Sequence, residues 1–222
     1  MDTGAITKDT VNNEDSSTRG RLLQVGMKLF AEYGFDATTT RMIAQAAGTN
    51  IATMSFHFGN KESYYHEVLV YTAKQVASHY EPLGKRIRET NEKQGMTPAM
   101  AWDFIEEYVD LVLSIVANLK ETEPLSLLFH EQNRHPFNDY PITQVVCKEA
   151  EILLKNLLLA YWKSQDEQKA TVISRIINGS LITLGEHPIF IRRTLNMADD
   201  SVLPETIINE IREYTLNSIR TY

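Results

Sequence analysis

The sequence lacks much of what several classes of protein require. It has one cysteine, Cys147, so no disulfide can form within the chain. No apolar run reaches the roughly 18 residues of a membrane span, and no basic patch followed by an apolar stretch opens the chain. We therefore expect neither a membrane segment nor a secretory signal. They point to a reducing, cytoplasmic setting.

Catalytic signatures are missing as well. The sequence has no glycine-rich phosphate loop, no nucleophile elbow and no His, Cys and carboxylate spacing typical of a metal site. The adjacent carboxylates Glu106 and Glu107 would point to different faces of a helix. Cys147 is expected to be a small buried hydrophobic residue rather than a catalytic thiol. We therefore expect no enzyme, no metal and no cofactor.

The remaining pattern predicts an all-α fold of about nine or ten helices. Strand-like alternation is scarce, whereas apolar residues recur every three or four positions. Residues 1–16 are small, polar and acidic without such periodicity, and they predict a disordered tail. We expect a small N-terminal domain over residues 17–78 and a larger helical domain over residues 79–222.

Three short helices with tight connections open the folded part. The first runs from about Ser17 to Tyr33 and ends at Gly34, and Thr39 or Thr40 can cap the second. Asn50 can cap the third, from Ile51 to about Phe58, after the connection Gly48-Thr49-Asn50. Two short helices joined in this way indicate a helix-turn-helix.

Longer helices follow. The fourth starts near Lys61 and continues towards Tyr80, with a hinge or loop expected around Gly84 and Gly95. The later segments with helical periodicity are 98–116, 122–134, 145–162, 167–184, 189–195 and 204–219.

The third helix divides into two faces on a helical wheel. Ile51, Met54 and Phe58 share one face that can pack inward. Ala52, Thr53 and Phe56 point the opposite way, flanked by Ser55 and His57. Small side chains, hydroxyls and an aromatic ring suit close approach to base edges and phosphates, so this face predicts a DNA contact.

The distribution of charge along the chain supports a DNA contact better than the net charge does. The net charge of −7 is unusual for a protein that contacts phosphate. Residues 1–16 carry −3 and residues 17–74 carry +2, which leaves −6 for the rest. An acidic body would repel DNA except where the basic segment points.

The candidate DNA-binding residues stand at helix starts and along the third helix. Each also has a purely structural interpretation: the threonines as caps, the histidine as a surface residue, Phe56 as a core aromatic. The candidates are Thr39, Thr40, Arg41, Asn50, Ala52, Thr53, Ser55, Phe56, His57 and Lys61.

Residues Arg19 to about Leu69 resemble the DNA-binding domain of the TetR/AcrR family. The resemblance rests on the segments LF-AEYGF-DATTT, RMIAQAAG and TNIATMSFHFGNKES. The form of the third helix is similar to the CecR-like subgroup, as is the later stretch LLFHEQNRHPFNDYPI. Ser55 stands where most members carry a tyrosine that touches the DNA backbone, whereas His57 and Lys61 match the pattern as phosphate contacts.

The resemblance implies an all-helical homodimer that binds a double-stranded, palindromic DNA operator and responds to a small-molecule effector. It places a ligand pocket in the C-terminal domain, for which the candidates are Trp102, Tyr108, Phe129, His130, Arg134, Cys147, Tyr161 and Trp162. It places the dimer interface on the last two long helices, for which the candidates are Ile173, Ile176, Ile177, Gly179, Ser180, Ile207, Ile208, Ile211 and Leu216. An intrachain core explains the same residues equally well.

The sequence therefore leaves two alternative functions. The first is a ligand-responsive transcriptional repressor. The second is an all-helical enzyme or small-molecule-binding protein whose three-helix segment is only structural.

Overall fold

A computed structural model describes residues 17–117, 123–133, 141–186, 188–198 and 202–221. These residues form ten α-helices and no strand, as the periodicity predicted. The predicted disordered tail, residues 1–16, lies outside them. The helices are α1 (Thr18–Ala37), α2 (Thr40–Ala46), α3 (Ile51–Phe58), α4 (Lys61–Gln94), α5 (Pro98–Ala117), α6 (Glu123–Asn133), α7 (Lys148–Trp162), α8 (Glu167–Glu186), α9 (Pro188–Thr194) and α10 (Glu205–Arg220).

The N-terminal helices begin and end at the residues that the sequence marks for these roles. The side chains of Ser17, Thr39 and Asn50 each accept a hydrogen bond from a backbone N–H in the first turn of α1, α2 and α3. Gly34 has a φ of 72° inside α1, and the chain then makes one more turn to Ala37. The regular part of α1 therefore stops at Gly34, where an L side chain would be strained.

Helices α1 and α4 pack closely at Gly26. The Tyr64 hydroxyl of α4 donates a buried hydrogen bond to the Leu22 carbonyl at 2.5 Å. A Cβ on Gly26 would lie 2.6 Å from Cγ2 of Val68 and would also collide with the Tyr64 hydroxyl. The absence of a side chain at Gly26 thus allows the close approach that fixes the crossing of the two helices.

Helix α4 is longer than predicted, because it continues for 34 residues through Pro82 and Gly84. The expected hinge around Gly84 is wrong. Leu83 and Ile87 are buried against α5, and Arg86 forms a bidentate ion pair with Glu107 at 2.6 and 2.9 Å. This packing outweighs the weak helix propensity of proline and glycine. Gly95, with a φ of 76°, ends the helix.

Two hydrophobic cores lie along α4, and α6 belongs to the first of them. The N-terminal core joins α1 to α4 and also contains Leu127, Leu128, Ile142 and Cys147. The C-terminal core joins the second half of α4 to α5, α7, α8 and α10. The predicted boundary at residue 78 thus falls within one continuous helix, and residues from beyond it complete the N-terminal core.

The helical segment that leads into α7 is held at its start by a buried carboxylate. The chain is helical from residue 141, earlier than the predicted Val145, and passes through a π-helical turn at Thr143–Cys147. Glu131 of α6 is 2% exposed. Its carboxylate accepts hydrogen bonds from the N–H groups of Ile142 and Thr143, both at 2.9 Å, and from the Thr143 hydroxyl at 2.8 Å. This contact ties the end of α6 to the helix that follows.

Candidate nucleic-acid interface

Helix α3 is anchored by two buried side chains. Met54 is fully buried and Phe58 is 6% exposed, with the Phe58 ring 4.9 Å from that of Tyr64 on α4. The predicted inward position of Ile51 is wrong, because this side chain is 47% exposed. A two-turn helix reaches the core only where other helices lie beneath it, which here is at its second turn. Ile51 therefore adds to the exposed surface.

The outward face of α3 is as the helical wheel predicted. Ala52 and Ser55 are exposed, and Phe56 is 85% exposed, so the interpretation of Phe56 as a core aromatic is wrong. Thr53 is half-buried, and its hydroxyl donates to Oδ1 of Asn50 at 3.1 Å. The cap thus holds the Thr53 hydroxyl, which leaves its methyl group as the freer contact. The face is mostly apolar and carries no carboxylate.

His57 near the end of α3 and Lys61 at the start of α4 lie close together in the sequence. His57 is half-buried, with its ring 5.3 Å from that of Phe56. Nζ of Lys61 lies 4.3 Å from the centre of the Phe35 ring and 3.5 Å from the Asp36 carbonyl oxygen. These contacts hold the Lys61 ammonium at the N-terminus of α4, where the helix dipole also favours an anion.

Helix α2 contributes the remaining predicted residues. The Thr39 hydroxyl accepts a hydrogen bond from the Met42 N–H at 3.2 Å, so Thr39 is the cap and Thr40 is the first helical residue. Arg41 is exposed and forms no ion pair with any residue that the structure describes. Its guanidinium is therefore available to a phosphate.

One cation near α3 was not singled out from the sequence. Arg19, in the first turn of α1, lines a depression together with His57 and His66. Its guanidinium pairs with Glu67 at 2.6 Å and lies 5.4 Å from the Phe58 ring. Sequence spacing gives no signal for this arrangement, because it arises from the crossing of α1 and α4.

A separate cavity of about 600 Å³ lies between the two cores. Six helical segments line it: α1, α4, α5, α6, the π-helical turn with α7, and α8. The α1 wall consists of Gln24, Met27 and Lys28. The cavity therefore touches the first helix of the N-terminal unit as well as the C-terminal body.

The predicted pocket residues mostly lie elsewhere. Of that set, Cys147 lines the cavity, whereas Phe129 and His130 do not, and Arg134 lies outside the described residues. The Trp102 and Tyr161 rings pack against each other at 4.9 Å, and the Trp162 indole donates to the Ile219 carbonyl at 3.3 Å. These aromatics join helices, because rings at helical spacing more often fill a core than line a cavity.

Tyr108 lies beneath the cavity rather than in its wall. Its fully buried hydroxyl donates to Oδ1 of Asn178, which lines the cavity, at 2.6 Å. Burial raises the pKa of Tyr108 well above its usual value. Burial also raises the pKa of Tyr80, which does line the cavity, to about 12. Both phenols therefore stay neutral well above physiological pH.

Other sites are not evident in the described part of the chain. Its His, Cys and carboxylate side chains form no cluster of three that could hold a metal ion. None of the described helices is long and apolar enough to cross a membrane.

Comparison with known proteins supports the N-terminal resemblance. Residues 22–68 match the family described as bacterial regulatory proteins, tetR family. The transcriptional repressor KstR2 of Mycobacterium tuberculosis is 41% identical over 61 residues, which are 28% of this chain and 30% of the repressor. The dual regulator CecR of Shigella flexneri is 34% identical over 77 residues, which are 32% of this chain and 34% of that protein. The chain thus matches about a third of the length of these relatives.

Solved structures match nearly the whole chain. A TetR-like transcriptional regulator from Rhodococcus sp. RHA1 superposes with a TM-score of 0.61 over 98% of this chain and 100% of its own, at 12% identity. A regulator from Aquifex aeolicus gives 0.55 over 92% and 99%, at 20% identity. FadR from Bacillus subtilis, solved with stearoyl-CoA, gives 0.57 over 90% and 96%, at 14% identity. Residues 22–68 of the chain thus match the tetR family of bacterial regulatory proteins, and the described helices share the fold of these solved regulators.

Proposed function

We propose that the protein is a repressor that binds a palindromic operator as a homodimer and leaves it when a small molecule binds. The observation that carries this proposal is the outward face of α3. Phe56 is 85% exposed there, beside the exposed and compact Ala52 and Ser55. These side chains let the helix backbone come close to base edges, and no carboxylate on α3 repels the phosphates.

Cations on three sides of α3 would position it on the DNA backbone. Arg41 lies before α3, Lys61 after it and Arg19 beneath it, while the acidic remainder of the protein disfavours other orientations. Phosphate contacts of this kind set register and orientation. The apolar groups of Ala52, Thr53 and Phe56 would contact thymine methyl groups in the major groove.

A dimer is supported by an exposed apolar stripe on α8. Val172 and Ile176 are 57% and 56% exposed, and Gly179 follows on the same face with nothing within 4 Å of where its Cβ would be. Two copies of α8 could approach closely there, and an exposed apolar face favours a partner. Ile177 and Leu216, predicted for the interface, are instead buried in the core of their own chain. Two copies of α3 about 34–36 Å apart would read an inverted repeat.

Release by an effector is supported by the walls of the cavity. They include residues of α1 and α4, which carry α3, and of α8, which we place at the dimer interface. Helix α6 links the two regions, since Leu128 lines the cavity and also lies in the N-terminal core. A ligand that binds more tightly when the two α3 helices of the dimer have a spacing unsuited to DNA would therefore release the protein from its operator. The extent of release depends on the difference between the ligand's affinities for the two states. FadR, which was solved with stearoyl-CoA, shares this fold.

The DNA-binding part is tested by selecting duplexes from a random library with the purified protein. The expected result is enrichment of an inverted repeat with half-site centres about 10 base pairs apart. A variant with both His57→Ala and Lys61→Ala should lose most of its affinity for the selected duplex.

The control carries Lys85→Ala and Lys93→Ala, two exposed lysines on the distant part of α4. It should bind the duplex as the unmodified protein does. If no sequence is enriched, or if the folded double variant of His57 and Lys61 binds with unchanged affinity, the three-helix segment is only structural and the alternative function stands.

A further inference from the structure

Two polar side chains in the cavity have hydrogen-bonding capacity that the protein does not use. Tyr80 lines the cavity, and its hydroxyl makes no hydrogen bond to any described residue. Asn178 is 4% exposed and also lines the cavity. Its Nδ2 has one described acceptor, the Ser174 hydroxyl, at the long distance of 3.5 Å. A buried amide with a free N–H is costly unless a ligand or water accepts from it.

The Tyr108 hydroxyl beneath the cavity lies 2.6 Å from Oδ1 of Asn178 and 3.3 Å from the Ala150 carbonyl oxygen. Its single proton is assigned to the shorter contact, so Oδ1 of Asn178 is the acceptor and Nδ2 is the group left for a ligand. Tyr80 and Asn178 both line the cavity and both contact Tyr108, whose ring lies 6.2 Å from that of Tyr80 and whose hydroxyl bonds to Asn178. One hydroxyl and one amide N–H can together donate to a single oxygen atom.

The charges around the cavity leave no net attraction for an ion. Arg175 is paired with Glu151, and both line the cavity. Lys28 is exposed, and Glu123 is the other charged residue among the described lining residues. Two positive and two negative side chains thus cancel, with His79 of the same wall counted as neutral. The rest of the wall is largely aliphatic and includes Val112, Ile115 and Ile182.

We propose, resting on the proposed function, that the effector is an uncharged, largely hydrocarbon molecule whose carbonyl or hydroxyl oxygen accepts hydrogen bonds from Tyr80 and Asn178. The apolar body of the effector lies on the aliphatic wall. The cavity volume is within the range of about 300–1,000 Å³ that holds small ligands. The α1 wall at Gln24 and Met27 then senses the bound molecule directly.

The test uses the fluorescent ketone 6-propionyl-2-(dimethylamino)naphthalene, which has an apolar body, a single carbonyl and no charge. Titration should give saturable binding, one dye per chain, with a blue-shifted emission. Tyr80→Phe should weaken binding about fivefold, the effect of one neutral hydrogen bond. Tyr161→Phe, which removes a hydroxyl outside the cavity, should leave the affinity unchanged. The anionic dye 8-anilinonaphthalene-1-sulfonate should bind at least about tenfold more weakly than the ketone.

Each contrary result overturns the proposal. If the ketone shows no saturable binding, the proposed ligand site does not exist. If the sulfonate binds more tightly than the ketone, the cavity selects anions. Equal affinities of Tyr80→Phe and the unmodified protein remove the hydrogen bond. Ile182→Trp, which fills the cavity, should abolish dye binding, and persistence of binding in this variant would place the dye elsewhere. These measurements contain no DNA, so their failure leaves the selection of an inverted repeat unaffected.

Discussion

Lys61 provides the sharpest test of how the N-terminal unit meets DNA. Its ammonium is held by the Phe35 ring and the Asp36 carbonyl at the start of α4. The side chain therefore loses little conformational entropy when it contacts a phosphate. Lys61→Met keeps the apolar stem and removes the charge. A dimer loses two phosphate contacts, which lowers the slope of log K against log salt by about 1.8. Between about 50 and about 200 mM salt, the unmodified protein should then lose about twelvefold more affinity than the variant.

Fluorescence anisotropy with the selected duplex, measured over this range of salt, gives both slopes. Lys93→Met is the matched control, because it makes the same charge change 32 residues further along α4. That distance is about 48 Å, well beyond the Debye length of about 8–10 Å. Circular dichroism checks that both variants are folded. Equal slopes for Lys61→Met and the unmodified protein would refute the phosphate contact and leave Lys61 as a contact between α1 and α4.

Three other predictions concern packing, assembly and pH. Gly26→Ala should destabilise the protein by about 1–2 kcal/mol in urea unfolding, because overpacking against Val68 and Tyr64 exceeds the gain in helix propensity; Gly84→Ala, which meets only the end of Arg88 at 3.3 Å, should not destabilise it. Ile176→Glu should give monomers in sedimentation equilibrium, whereas the same change at the exposed Val145 should leave dimers. The free energy of unfolding should fall as pH rises from about 10 to about 12, since the unfolded Tyr80 phenol loses its proton while the folded one keeps it, and Tyr80→Phe should reduce this fall.

The sequence predicted best those features that depend on local chemistry. Thr39 and Asn50 are caps and Gly34 is a helix breaker because of their own side chains or lack of one, and all three act as expected. Phe56 lies on the outward face because helical periodicity alone decides that position.

Features that depend on contacts between distant segments were not predictable in this way. Helix α4 continues past Gly84 because α5 packs against it, and the cavity lies where six helical segments meet rather than beside the conspicuous tryptophans. Arg19 reaches α3 through the crossing of α1 and α4. Ile51 is exposed because only the second turn of the short helix α3 packs on neighbouring helices.

The position of α6 limits how freely this protein could exchange parts with its relatives. Leu127 and Leu128 are buried in the core beneath α1, and the Ser126 hydroxyl donates to the Ala31 carbonyl at 2.8 Å. A chimaera cut at residue 78 and joined to a foreign body would lose these side chains and leave a cavity in the N-terminal core, at a cost of about 2–5 kcal/mol for each leucine. The unit that recombination or design can transfer intact is therefore the three N-terminal helices together with α4 and α6, which are far apart in the sequence.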